Sequence, residues 1–157
     1  MIGAALDDLK QQEMVMMIKF RAWDKVQNKM LLPDNIEFIN GQAYWAEAST
    51  DGNGGYSNDG KVDGIGALFE IEQFTGLKDV NGNEIYVGDI VKVWSDVSEL
   101  TMEPTVNEIV SEDYFGRAGM FLKPLRLHVI EPCLHDSWDN KFEVIGNVHT
   151  NPELLKG

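Results

Sequence analysis

The sequence predicts a mainly β fold. From Ile18 onward the apolar period is two rather than the helical 3.6, and two Asn-Gly dipeptides stand between such alternating stretches. A third sign is the short apolar run Ile90 to Trp94, the length of a strand. With 157 residues, 43% hydrophobic and 25% charged, the chain suits one domain or two very small ones around a real core.

Residues 1–16 are the exception. Ile2, Leu6, Leu9 and Met16 fall near one helical face, with Asp7, Asp8, Lys10 and Gln11 elsewhere, so a short amphipathic helix is expected, interrupted only by Glu13. An isolated helix of that length is marginal in water. Its apolar stripe needs a surface, on its own domain or on a second copy, and a homo-oligomer is one solution.

Beyond it, Ile18, Phe20 and Ala22 alternate with Lys19, Arg21 and Trp23 as in a half-buried strand, and Asp24 to Lys29 forms a polar turn. Ile36 to Ile39 and Gln42 to Trp45 flank Asn40-Gly41, which favours the positive φ angles of a tight hairpin. The glycine-rich stretch 49–66 has loop composition. Phe69 and Ile71 then alternate with Glu70 and Glu72, a strand with one wet face. After the second hairpin signal, Asn81-Gly82, Ile85, Val87 and Ile90 to Trp94 predict a strand buried on both faces for part of its length. Shorter strands are expected around Val106 to Val110, Tyr114-Phe115, Met120 to Leu122 and Phe142 to Val148. Asn151, Pro152 and Glu153 supply an N-cap, a first-turn proline and a first-turn acid for a closing helical turn.

Charge narrows the function. Thirteen Lys and Arg face 26 Asp and Glu, a net charge of −13, spread evenly as −6 over residues 1–76 and −7 over 77–157. So negative a surface repels phosphate backbones, which disfavours direct nucleic-acid binding. The single cysteine, Cys133, allows no intrachain disulfide and no Cys-rich zinc site, so a cytoplasmic protein is expected. Its longest apolar run, Met14 to Ile18, is far short of the ~20 residues of a membrane helix, and Asp7 and Asp8 spoil a secretory signal.

Candidate chemistry is sparse. A calcium loop starting at Asp59 would use Asp63, Gly64 and Glu70, but Lys61 puts a cation where a ligand oxygen belongs. In Asp79-x-Asn81-x-Asn83, Glu84 replaces the turn glycine and Ile90 the final carboxylate. Cys133, His135 and Asp136 lie close in sequence, with His128 and His149 elsewhere, at spacings specific to no metal or nucleophile; scattered histidines are ordinarily surface or capping residues. Glu70 and Glu72 share one side of a strand, as the wet face of an edge strand explains. Among Trp23, Trp45, Trp94 and Trp138, core packing is expected for all but one. No catalytic, cofactor or metal residue is assigned, and a non-enzymatic protein is expected.

Three segments, Met17 to Asp24 (MIKFRAWD), Phe74 to Val91 (FTGLKDVNGNEIYVGDIV) and Glu143 to Leu155 (EVIGNVHTNPELL), resemble the YopX-like proteins of bacteriophages and prophages of Gram-positive bacteria. The resemblance makes Met17 the position matching the usual start, residues 1–16 an extension, and 17–157 a β domain with two subdomains divided near 72–76. It implies small barrels, the later part SH3-like, and it supplies no catalytic residues. Trp23, Gly76, Asp79, Asn81, Gly82, Gly88 and Asp89 carry over as structural motif positions, glycine and Asx residues suiting a turn and a sharp start to a strand. The expected function is a phage or prophage accessory protein that binds an unknown phage or host protein. The alternatives are an acidic nucleic-acid mimic that inhibits a host nucleic-acid-binding protein, and a nucleic-acid-binding small barrel.

Overall fold

A computed structural model of the chain describes residues 18–95, 104–114, 117–124 and 141–156. The predicted N-terminal helix lies outside them, as do Cys133, His135, Asp136, His128 and Trp138. The described residues form two antiparallel sheets. The first contains β1 (Phe20–Asp24), β2 (Lys29–Ile39), β3 (Gln42–Ser49), β4 (Ser57–Lys61), β5 (Phe69–Lys78) and β6 (Glu84–Tyr86), in the order β4-β3-β2-β1-β5-β6. The second contains β7 (Asp89–Trp94), β8 (Thr105–Tyr114), β9 (Arg117–Pro124) and β10 (Lys141–Asn147), in the order β10-β7-β8-β9.

Each sheet has its own apolar core. Ala22, Leu31, Ala46, Ala48, Val62 and Phe69 fill the first, and Ile85, Val91, Val93, Ile109, Leu122 and Phe142 the second. Each fully buried Leu, Ile or Phe among them contributes about 1.5–3 kcal/mol. Ile85 belongs to β6 of the first sheet yet packs in the second core, so the two halves interlock where the chain changes sheets, at Val87-Gly88. Residues 72–76, where a division was expected, lie within β5.

The expected barrels are not closed: among the described residues the strand orders are those of open sheets. The first curls until Val62, just past β4, makes a single bridge with Phe69 at the start of β5, and it wraps its core without closing. The later part contributes an open four-stranded sheet. A strand inside the glycine-rich stretch is also a correction: β4, Ser-Asn-Asp-Gly-Lys, pairs with β3 from Trp45↔Lys61 to Ser49↔Ser57. No apolar alternation marks it, because its one buried residue is Gly60, where a Cβ would run into Leu68. The single strand expected from Ile85 to Trp94 is instead two, in different sheets, with Gly88 between them.

The two Asn-Gly signals resolve differently. Asn40 (φ 53°) and Gly41 (φ 79°) are both left-handed between paired Ile39 and Gln42, the two-residue turn the dipeptide predicts. At the second, Gly82 takes a φ of 84° and donates its N–H to the Asp79 carbonyl at 3.0 Å, while Asp79 donates to the Asn83 carbonyl at 2.8 Å. This turn is therefore wider, running from Asp79 to Asn83. Replacing Gly82 with Val forces a β-branched residue to positive φ and is expected to lower stability by about 1–3 kcal/mol, read as a lower midpoint with unchanged slope in urea denaturation.

Candidate functional site

β1 is the strand on which the two sheets meet. It lies between β2 and β5, and Ala22 on one face is fully buried in the first core. The opposite face, which alternation assigns to water, carries Arg21 and Trp23, and both are buried. Arg21 donates from Nε to Glu72 Oε1 at 2.8 Å and from Nη1 to Asp89 Oδ1 at 2.7 Å, and its guanidinium lies 4.9 Å from the Tyr86 ring centroid. One cation thus joins β5 of the first sheet to β7 of the second.

The network extends from both carboxylates. Asp89 Oδ2 accepts the Tyr86 N–H at 2.8 Å, which closes the corner between β6 and β7. Burial pushes the Asp89 carboxyl above its ordinary value, against the pull of Arg21. Glu72 Oε2 lies 3.0 Å from His149 Nε2, and the imidazole stacks on Trp23 at 4.7 Å with 11° between the planes. Gly88 is required here twice over: its φ is 92°, and a Cβ would overlap the Glu72 carboxylate.

A second tie runs through Asp79. Its carboxylate accepts the N–H groups of Asn81 at 2.9 Å, Asn83 at 2.8 Å and Val144 at 2.9 Å, so the β5–β6 hairpin is fastened to β10. Burial alone would raise this carboxyl; the N–H groups of Val144 and Asn83 outweigh it and hold the group below the usual aspartate value. Gly76, at a φ of 87°, sits in a bulge where three residues of β5 oppose Ile85 alone.

Of the motif positions marked in the sequence, Trp23, Gly88 and Asp89 meet at the junction, and Gly76, Asp79, Asn81 and Gly82 shape the hairpin beside it. Arg21, Glu72 and His149 are the members that sequence reasoning missed. Glu72 is buried on an interior strand rather than on the wet face of an edge, because Arg21 neutralises it; Glu70 keeps the exposed position. His149 is no surface residue, since its side chain is only 10% exposed. Its place within the third resembling segment is the one signal that could have pointed to it. Asn151 turns its side chain back to the Asn147 N–H and the Thr150 hydroxyl, and the 3₁₀ turn Pro152–Lys156 begins beyond it.

The first sheet also carries an apolar surface. The far halves of β2 and β3 extend beyond β1 as a hairpin arm whose end exposes Phe38 (53%), Ile39 (53%), Tyr44 (46%) and Trp45 (37%). Beside it, Ile39, Tyr44, Lys61, Val62 and Asp63 line an open groove of about 550 Å³. The residues of the Asp59 calcium pattern are divided between β4 (Asp59, Lys61), the turn at Asp63-Gly64 and β5 (Glu70).

The YopX protein family profile matches residues 19–156. A crystal structure of protein EF1440 from Enterococcus faecalis is similar to this chain at 31% identity, covering 88% of this chain and 98% of that one, with a TM-score of 0.54. No curated protein matches the chain.

Asp79 supplies a pH signature. A carboxyl lowered by folding stabilises above its unfolded value, about 4, and that contribution is lost as pH falls through its lower folded value. Asp79→Asn is expected to cost about 1–3 kcal/mol at neutral pH and to flatten the acid limb of stability, measured by urea denaturation from pH 7 to pH 3.

Proposed function

The chain belongs to the YopX protein family, and on that premise we propose that it is a non-enzymatic phage or prophage accessory protein that binds another protein through its β2–β3 arm. The observation that supports this is the exposure of Phe38, Ile39, Tyr44 and Trp45 at the end of one hairpin, where Ile39 and Tyr44 line the same groove. Aromatic residues such as Phe38, Tyr44 and Trp45 form the centres of protein interfaces. The groove next to them offers the recess into which a partner side chain fits. On a chain of net charge −13, a complementary partner has an apolar centre with a basic rim, which speeds encounter. The acidic surface is then the steering field for this contact, and the aromatic arm is its anchor.

Capture from the lysate of a phage-infected host, with wild type and an Ile39→Ser/Tyr44→Ser variant side by side, tests the reading. Both positions are exposed, so the variant keeps its circular dichroism spectrum and melting temperature. A partner that co-purifies with wild type is expected to bind the variant roughly 30-fold more weakly, the effect of losing about 2 kcal/mol at a hot spot. Equal capture by both proteins would overturn the arm as the contact.

A further inference from the structure

We propose that Glu70, Glu72 and His149 form a binding site for a divalent ion of the zinc type at the solvent-facing side of the junction. One donor atom from each residue lies within 4.8 Å of the other two. The donor set is mixed, one imidazole nitrogen with carboxylate oxygens, which suits zinc and its neighbours better than the all-oxygen preference of calcium or magnesium.

Two of the three donors are already aimed. Glu72 is fixed by Arg21 on Oε1 at 2.8 Å, which leaves Oε2 facing His149 Nε2 at 3.0 Å. The imidazole is fixed by its stack on Trp23, and the backbone N–H of His149 donates to Asn147 Oδ1 at 3.0 Å. Such outer partners orient metal ligands and hold them ready. Glu70 lies two residues before Glu72 on the same side of β5 and is exposed, so it closes the site from the solvent side and leaves a fourth position for water.

The charges favour a cation. Arg21 sets one positive charge against the carboxylates of Glu70, Glu72 and Asp89, and a dication offsets the surplus. The nearest repulsion, from the guanidinium, is directed at the other oxygen of Glu72. On binding, the imidazole takes its Nδ1–H form and gives the Nε2 lone pair to the ion. Nothing in the primary spacing announces the site, because His149 stands 77 residues beyond Glu72 and only the fold brings them together.

This site stands apart from the arm and does not depend on partner binding. The test is a titration of EDTA-treated full-length protein with Zn²⁺, followed by calorimetry and by the imidazole resonances of each histidine, for wild type and Glu70→Gln. Glu70 makes none of the junction's hydrogen bonds, so its replacement leaves the fold intact. One ion per chain is expected, with shifted His149 ring resonances and an affinity about tenfold or more weaker in Glu70→Gln. Wild type that binds no zinc overturns the proposal. So does zinc that leaves the His149 ring unmoved, the ion then being held elsewhere on the chain, or that Glu70→Gln holds equally well, Glu70 then being no ligand.

Discussion

The buried guanidinium of Arg21 is the centre of the junction between the two sheets. Arg21 reaches Glu72 within its own sheet and Asp89 at the start of the other, with side-chain exposures of 11%, 6% and 3%. Ions so thoroughly removed from water give little net stability as a pair, because desolvation offsets their attraction. Removing one partner is costly, because a charge is left uncompensated. The network therefore acts as a lock on arrangement. Only one relative placement of β1, β5 and β7 satisfies both carboxylates, and the surrounding details follow from it: the missing Cβ at Gly88, the Tyr86 N–H on Asp89, and His149 wedged between Glu72 and Trp23.

How far the sequence revealed this depends on the element. Asn40-Gly41 specifies its turn through two residues that tolerate positive φ, a local property, and the turn is as expected. β4 escapes notice because a curled sheet buries it through a glycine rather than an apolar side chain. β1 is the more instructive case. Alternation correctly divides Ala22 from Arg21 and Trp23, but it states only which residues share a face. What covers that face is a long-range fact, and here the cover is the second sheet with its own charges. The same reason hides Glu72, which looks wet beside Glu70, and His149, which is followed by the polar Thr150 and Asn151.

The segments that resemble the family and the surface proposed for binding occupy different parts of the molecule. Residues 17–24, 74–91 and 143–155 supply Arg21, Trp23, Asp79, Gly88, Asp89 and His149, the junction and its adjoining hairpin. The exposed end of the β2–β3 arm falls between the first and second of them. The frame is held by buried charge, and the exposed end of the hairpin takes no part in that network. That separation supports an interaction role for the arm, since the arm's exposed aromatic residues are not required by the buried network.

The coupling of the two sheets through Arg21 is open to direct measurement by native-state hydrogen exchange of wild type and Arg21→Met. If the guanidinium unites the sheets, the slowest amides of β1 and of β7 open at one common free energy in wild type, and the substitution lowers both together by about 3–5 kcal/mol. Loss of protection in the first sheet while β7 keeps its own would contradict the account and make the halves independently stable.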